Sequence, residues 1–134
     1  MKYSEQEIMK LEGRELDEAV AVWVMGWESR TPLDRPDYWV RENTKTKSPH
    51  YHHAATKGYW HPSTNIAQAY EAIQHVKENF FSIDISIEGT VDRWDHVSIN
   101  WNGYADDTVR VKGQGSLTEL ICRALLLWKL RASK

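Results

Sequence analysis

The residues best suited to chemistry lie between positions 29 and 64, where aromatic and cationic side chains are interleaved. A nucleotide-type ligand needs flat apolar faces for its base, worth about 1 to 3 kcal/mol per base, and guanidinium groups that bind phosphate in a bidentate manner. This segment supplies both kinds of group. On the alternative, structural interpretation, the tryptophans cover an open sheet and the arginines are solvated around them. The candidate residues are Arg35, Tyr38, Trp39, Arg41, Tyr59 and Trp60.

Histidines in the same segment could add hydrogen bonds or metal ligands. In a strand over HYHHA, His50 and His52 share one face and His53 takes the other. A two-residue turn at the following TKG would place His61 on the face of His50 and His52, whereas a three-residue loop would place it opposite His53. The first arrangement would suit zinc. We expect a polar lining to which His50, His52 and His61 contribute, without bound metal.

Composition narrows the class of protein. The chain of 134 residues has a formal charge of −2, which argues against a duplex nucleic-acid binder. Segment 29–64 is the exception, because its six cationic and three acidic residues leave it with a net charge of +3. Cys122 is the single cysteine, no apolar stretch opens the chain, and the longest apolar run falls short of the roughly 20 residues that span a bilayer. We therefore expect a protein of the reducing cytoplasm with no membrane partner.

Signals for catalysis are weaker than those for binding. Acid–base work needs positioned pairs of carboxylates, and those in DRWDH and ADD fall in strands or turns near solvent. The chain contains no nucleophile motif, phosphate loop or dinucleotide fingerprint. Cys122 lies in a helix that the apolar pattern buries. We predict no catalytic residue and no cofactor.

The spacing of apolar residues predicts the helices and strands that carry these side chains. Three blocks predict helices: GRELDEAVAVWVMGW, PSTNIAQAYEAI and SLTELICRALLLW, the last opened by the capping box of Ser116 and Glu119. Alternating residues over 81–87, 97–101 and 109–111 predict three antiparallel strands, and Asn102–Gly103 is a hairpin signal. Prolines and Gly58 break segment 29–64 into short strands at DYWVR and HYHHA. The prediction is a single α+β domain over 1–134, a three-layer α-β-α sandwich whose antiparallel sheet of at least three strands carries helices.

The three helical blocks, with the strand meander before the last, resemble the phage ABA-sandwich family of small phage and prophage proteins. The resemblance covers most of the chain, but segment 29–59 is longer and more basic than the family pattern. It implies α-β-α layering and a phage origin, and it implies no catalytic residues. Phages carry many small proteins against host immunity, and several unrelated ones sequester nucleotide-derived immune signals, although a shared setting does not establish a function.

Together these observations predict a phage counter-defence protein that sequesters a nucleotide-derived immune signal, of the cyclic nucleotide or cyclic ADP-ribose type, without turnover. Trp39 with Trp60 or Tyr59 would stack on the base, and Arg35 and Arg41 would hold phosphate. A homodimer or higher oligomer would complete the pocket. One alternative is an interaction protein that inhibits a host defence enzyme by direct binding. A second is a metal-dependent hydrolase that uses the histidine cluster.

Overall fold

The structure, a computed structural model, describes residues 1–30, 37–42, 51–87, 95–113 and 115–133. Two groups of three strands are each preceded and followed by helices along the described chain. In chain order the elements are α1 (Glu5–Lys10), α2 (Gly13–Ala19), a π-helix (Val20–Val24), β1 (Glu28–Arg30), β2 (Tyr38–Glu42), β3 (Tyr51–Thr56), α3 (Ile66–Val76), a 3₁₀-helix (Lys77–Asn79), β4 (Ser82–Ser86), β5 (Asp95–Asn100), β6 (Thr108–Gly113) and α4 (Leu117–Ala132).

The strands form two antiparallel sheets of three strands each, in the orders β1-β2-β3 and β4-β5-β6. The second sheet is the predicted meander, with Ile83 opposite Ile99 and Ile99 opposite Val109. Ile99 and Val109 are fully buried, whereas Ile83 on the outer strand is only partly buried. Alternation therefore gives β6 the predicted apolar face, with Val109 and Val111 buried. On β4 the prediction holds only at Ile83, because Ile85 and Ile87 are 44% and 71% exposed.

Helix α4 is the centre of the core. It packs on β5 and β6, and α1, α2, the π-helix and α3 pack on it in turn. Leu120, Ile121, Leu125 and Leu126 are almost completely buried, as expected of a helix surrounded by other elements. The predicted α+β class, with helices packed on an antiparallel sheet in a sandwich-like arrangement, is confirmed.

Helix starts follow the local signals in the sequence. The Ser116 hydroxyl accepts a hydrogen bond from the Glu119 N–H at 3.3 Å, and the Asn65 side chain accepts one from the Gln68 N–H at 3.1 Å. Each contact satisfies one of the N–H groups that a helix leaves unpaired in its first turn. Because these contacts span only three residues, they can be predicted without the tertiary structure.

The first long helix differs from its prediction in its second half, where it becomes a π-helix over Val20–Val24. The Met25 N–H donates to the Val20 carbonyl at 3.0 Å, a hydrogen bond across five residues instead of four. The predicted helix GRELDEAVAVWVMGW reaches Trp27 and would place Trp23 and Trp27, four residues apart, on one face. In the structure the helical turns end at Val24, before Trp27, and Gly26 has a positive φ of 74°. Trp23 is only partly buried, whereas Trp27 is 6% exposed in the core.

No helix in the described part of the chain is both long enough and apolar enough to cross a membrane.

Candidate functional site

The structure places Trp60 in the core. Its side chain is 3% exposed and packs edge-on against Trp27, with ring centroids 4.6 Å apart. The indole N–H of Trp60 donates to the backbone carbonyl of Asp17 at 3.2 Å. A ring that is buried in this way has no free face for a ligand, so in this conformation Trp60 serves the fold.

Trp39 is also buried, at 3% exposure, and the ammonium group of Lys57 lies 4.5 Å from its ring centroid. This cation–π contact covers the indole from the solvent side. On the same strand Tyr38 is partly buried and Arg41 is exposed, and Arg41 pairs in register with His52 on β3. The structure therefore leaves Arg41, but not Trp39, open to a ligand.

Two of the predicted ligand-binding residues, Arg35 and His50, lie outside the described residues. For His52 the structure describes the backbone pairing alone. Their predicted roles remain predictions.

The hairpin expected after HYHHA does not form. The Thr56 carbonyl accepts hydrogen bonds from the N–H groups of both Tyr59 and Trp60, so the chain turns into the α3 start instead of returning as a strand. His61, which is partly buried, begins a second turn and stands opposite no strand residue. Both registers considered for His61 were therefore wrong, and across the described ranges no three His, Cys, Asp or Glu residues are grouped as a metal would require.

The turn fails to become a hairpin because the side chain of Gln68 clamps it. Gln68, 4% exposed, accepts a hydrogen bond from the His61 N–H at 2.6 Å and donates one to the Tyr59 carbonyl at 2.7 Å. These contacts tie residues 59–61 to the first turn of α3. Tyr59 itself is 65% exposed, so of the predicted stacking residues it is the most accessible.

A second set of contacts fixes residues 59–65, the stretch between β3 and α3 that we call the junction, to the helices. The carboxylate of Asp17 accepts a hydrogen bond from the Ser63 N–H at 2.7 Å, and the Thr118 hydroxyl donates to the Ser63 carbonyl at 2.5 Å. Burial raises the pKa of Asp17, and the hydrogen bond from the Ser63 N–H opposes that rise. Burial also raises the pKa of the Cys122 thiol. The hydrogen bonds of Asp17 and Thr118 to Ser63 link α2 and α4 to the junction.

A concave site lies elsewhere, where the C-terminal ends of three helices meet the end of β5. It is a cleft of about 560 Å³, within the range of small-molecule sites, and we call it the tryptophan cleft. Its walls come from the π-helix, α3, the 3₁₀-helix, β5 and α4. The lining residues are Trp23, Val24, Met25, Gly26, His75, Val76, Asn79, Trp101, Trp128, Lys129, Ala132 and Ser133.

Three indole rings give the cleft its aromatic walls. Trp23 and Trp101 are partly exposed, whereas Trp128 is 5% exposed. The ring of Phe80 meets Trp128 edge-on, with centroids 4.8 Å apart and planes at 86°, which restrains the orientation of the Trp128 indole. Partly exposed indoles beside a cleft of this size suit a flat ring that stacks on them.

The charged groups of the cleft favour an anion. Its ionisable lining residues are His75 and Lys129, and no described lining residue is a carboxylate. Helix C-terminal ends attract cations, but here several of their carbonyls already accept hydrogen bonds. The Val76 carbonyl accepts from the Asn79 side chain at 3.1 Å, and the Lys129 carbonyl accepts from the Ser133 hydroxyl at 2.6 Å. Among the described lining residues, Lys129 is the side chain that carries a full positive charge at neutral pH.

Sequence reasoning did not identify this cleft. Trp23 and Trp128 fall within two of the predicted helices, and Trp101 ends the predicted strand over 97–101. The lining residues come from four separated stretches of chain, so no local motif joins them. The available signal was compositional: the chain of 134 residues contains seven tryptophans.

Comparison of the chain with family models, with curated proteins and with solved structures gave no match. The resemblance to the phage ABA-sandwich family therefore stays a prediction.

Proposed function

We propose that this protein binds a small anionic ligand of the nucleotide type in the tryptophan cleft and holds it without turnover. The observation that carries the proposal is the combination of three indoles with Lys129 and His75 around one cavity of about 560 Å³. A nucleotide presents a flat base and a negative phosphate, which match these two kinds of wall.

The expected affinity follows from those contacts. Stacking contributes about 1 to 3 kcal/mol per base, and a charge-assisted hydrogen bond from Lys129 to phosphate adds an amount of similar size. Two stacking indoles and one such bond correspond to a Kd between the millimolar and micromolar ranges. Tighter binding would require contacts beyond these.

The biological role that fits such binding is sequestration of a nucleotide-derived immune signal by a phage protein in the host cytoplasm. This setting is supported by the sequence resemblance, and the cleft supports the more general match to a flat base and a phosphate. A protein that only sequesters its ligand must release it unchanged, which separates this function from hydrolysis.

The test is a depletion and release assay. Purified protein is incubated with cyclic dinucleotides, cyclic ADP-ribose isomers and 5′-mononucleotides, free ligand is measured after dialysis, and bound ligand is recovered by heat denaturation. We expect at least one compound to be depleted and recovered intact. Failure to deplete any of them contradicts binding, and recovery of an altered compound shows turnover.

Matched variants locate the site. Trp101→Ala removes one wall of the cleft and should weaken binding roughly 5- to 150-fold, the equivalent of about 1 to 3 kcal/mol. Tyr104→Ala removes an aromatic ring from the same loop that is 71% exposed and does not line the cleft, so its affinity should equal that of the wild type. Equal loss in both variants would place the ligand outside the cleft.

A second candidate function is direct binding to a host protein. It is favoured by an exposed apolar surface on α3, where Ile66 and Tyr70, four residues apart on one helix face, are 56% and 58% exposed. Exposed Tyr59 precedes the same helix. Replacement of Tyr70 by glutamate should abolish retention of a host protein in a pull-down while leaving nucleotide depletion unchanged. If the variant loses both activities, the two ligands do not bind to separate surfaces.

A further inference from the structure

We infer that the ligand of the tryptophan cleft carries an uncharged ring carbonyl, and that this oxygen accepts a hydrogen bond from Nε1 of Trp128. The inference rests on the proposed function, because it specifies the ligand class of the same cleft. It favours bases that bear a carbonyl group, such as hypoxanthine, guanine and uracil, over rings without one.

The observation is a buried donor without a partner. Trp128 lines the cleft, and its Nε1 is closed off from solvent and has no hydrogen-bond partner among the described residues. An indole N–H can only donate, and leaving a buried donor unpaired is costly. Trp60, which is equally buried, has its N–H paired with the Asp17 carbonyl at 3.2 Å. The fold thus satisfies the indole in the packed junction and leaves unpaired the one beside the cavity.

The burial of Trp128 indicates that its partner is uncharged. An anionic oxygen loses more solvation than a neutral carbonyl when it enters a buried position. A phosphate has a better position near the ammonium of Lys129, which lies 5.7 Å from the Trp128 ring centroid and is attached to a partly exposed side chain. One ligand can satisfy both groups when its ring carbonyl points to Trp128 and its phosphate to Lys129.

The edge-on contact with Phe80 limits the positions from which a ligand oxygen can accept a hydrogen bond from Trp128. Because that contact restrains the indole plane, the direction of the N–H is also restrained. Because the N–H is closed off from solvent in the unliganded protein, the proposed hydrogen bond requires that the bound ligand displace a neighbouring side chain. The long side chain of Lys129, already over the Trp128 ring, is the neighbour best able to move toward a phosphate.

The experiment removes the donor and the acceptor separately. The two probes are inosine 5′-monophosphate and purine riboside 5′-monophosphate, which lacks the ring carbonyl. The two proteins are the wild type and a variant with 3-benzothienylalanine in place of Trp128, in which sulfur replaces the N–H at nearly unchanged shape. We expect the wild type to bind inosine monophosphate about tenfold more tightly, as one well-formed hydrogen bond predicts. The variant should bind both probes with the weaker affinity.

A spectroscopic readout keeps the test independent of the folding of the variant. The ¹⁵N–¹H spectrum contains indole signals from seven tryptophans, and the signal absent from the variant, or from Trp128→Phe, identifies Trp128. That signal should move downfield when inosine monophosphate binds to the wild type and should move much less with purine riboside monophosphate. A purely structural role for Trp128 would not produce a shift that depends on the carbonyl.

The possible failures are distinguishable. If the wild type binds both probes equally and the Trp128 signal behaves alike with both, this inference is overturned while the proposed function stands. The inference is also overturned, and the proposed function kept, if the wild type binds only nucleotides that have no ring carbonyl. If the wild type binds neither these probes nor any compound of the depletion assay, the proposed function fails and the inference fails with it.

Discussion

Replacing Asp17 by alanine should destabilise the fold by about 2 kcal/mol. Its carboxylate is almost completely buried and accepts the Ser63 N–H at 2.7 Å, and Ser63 is 1% exposed. Without the carboxylate that N–H is buried and unpaired, which costs about 1 to 3 kcal/mol. In a domain of this size a loss of about 2 kcal/mol lowers Tm by roughly 6 to 10 °C.

Asp17→Asn separates the hydrogen bond from the charge. Asparagine keeps an oxygen that can accept the Ser63 N–H, and it removes the charge whose burial raises the pKa of Asp17. We therefore expect this variant to lose less than about 1 kcal/mol at neutral pH, clearly less than the alanine variant.

Urea unfolding followed by tryptophan fluorescence measures these differences. The control is Glu18→Ala, which removes a neighbouring carboxylate whose partner is Arg14 at 3.2 Å; both of these side chains are exposed, and such surface pairs contribute about 0 to 1 kcal/mol. If Asp17→Ala and Glu18→Ala unfold at the same urea concentration, the buried hydrogen bond to Ser63 does not stabilise the junction and the reasoning is refuted.

Three further predictions concern the same core. Burial raises the pKa of Asp17 above its ordinary value of 3.8. The protonated carboxyl therefore stabilises the fold fully below pH 3.8, and this stabilisation is lost as the pH rises through the folded-state pKa. Across that pH range the free energy of unfolding of the wild type should fall relative to that of Asp17→Asn, and a constant difference between the two proteins would contradict the prediction. Trp60→Phe should cost about 2 kcal/mol in urea unfolding, because the indole N–H bond to the Asp17 carbonyl is lost and the core shrinks, while nucleotide affinity stays unchanged; a weakened affinity would place Trp60 in the site. The Cys122 thiol is fully buried and burial raises its pKa, so its reaction with iodoacetamide, followed by mass spectrometry, should be no faster than unfolding; rapid labelling of the folded protein would show that the thiol is accessible.

Much of the fold could be predicted from the sequence because its determinants are local. The capping contacts of Ser116 and Asn65 span three residues, and alternation along a strand needs no distant partner. The π-helix at Val20–Val24 could not be predicted, because the apolar spacing over those residues fits an ordinary α-helix equally well. Its wider turn depends on what the following residues pack against.

The site is where sequence reasoning was least successful. The aromatic and cationic composition near Trp60 suggested a ligand site, but composition does not distinguish a ring that stacks on a ligand from one that fills the core. Trp60 is buried because Trp27 and the Asp17 carbonyl, far away in the chain, meet it there. For Tyr59, one residue earlier, the Gln68 clamp fixes the backbone and the side chain remains exposed.

The α+β class, the helix starts and the strand meander follow from the sequence alone. Which tryptophans face a cavity depends on the packing of the elements, because the tryptophan cleft forms where the C-terminal ends of three helices meet the end of β5. Helical and strand periods are set by hydrogen bonds between near neighbours, so they are encoded locally. A cleft is the space left between elements, and its lining depends on how those elements pack.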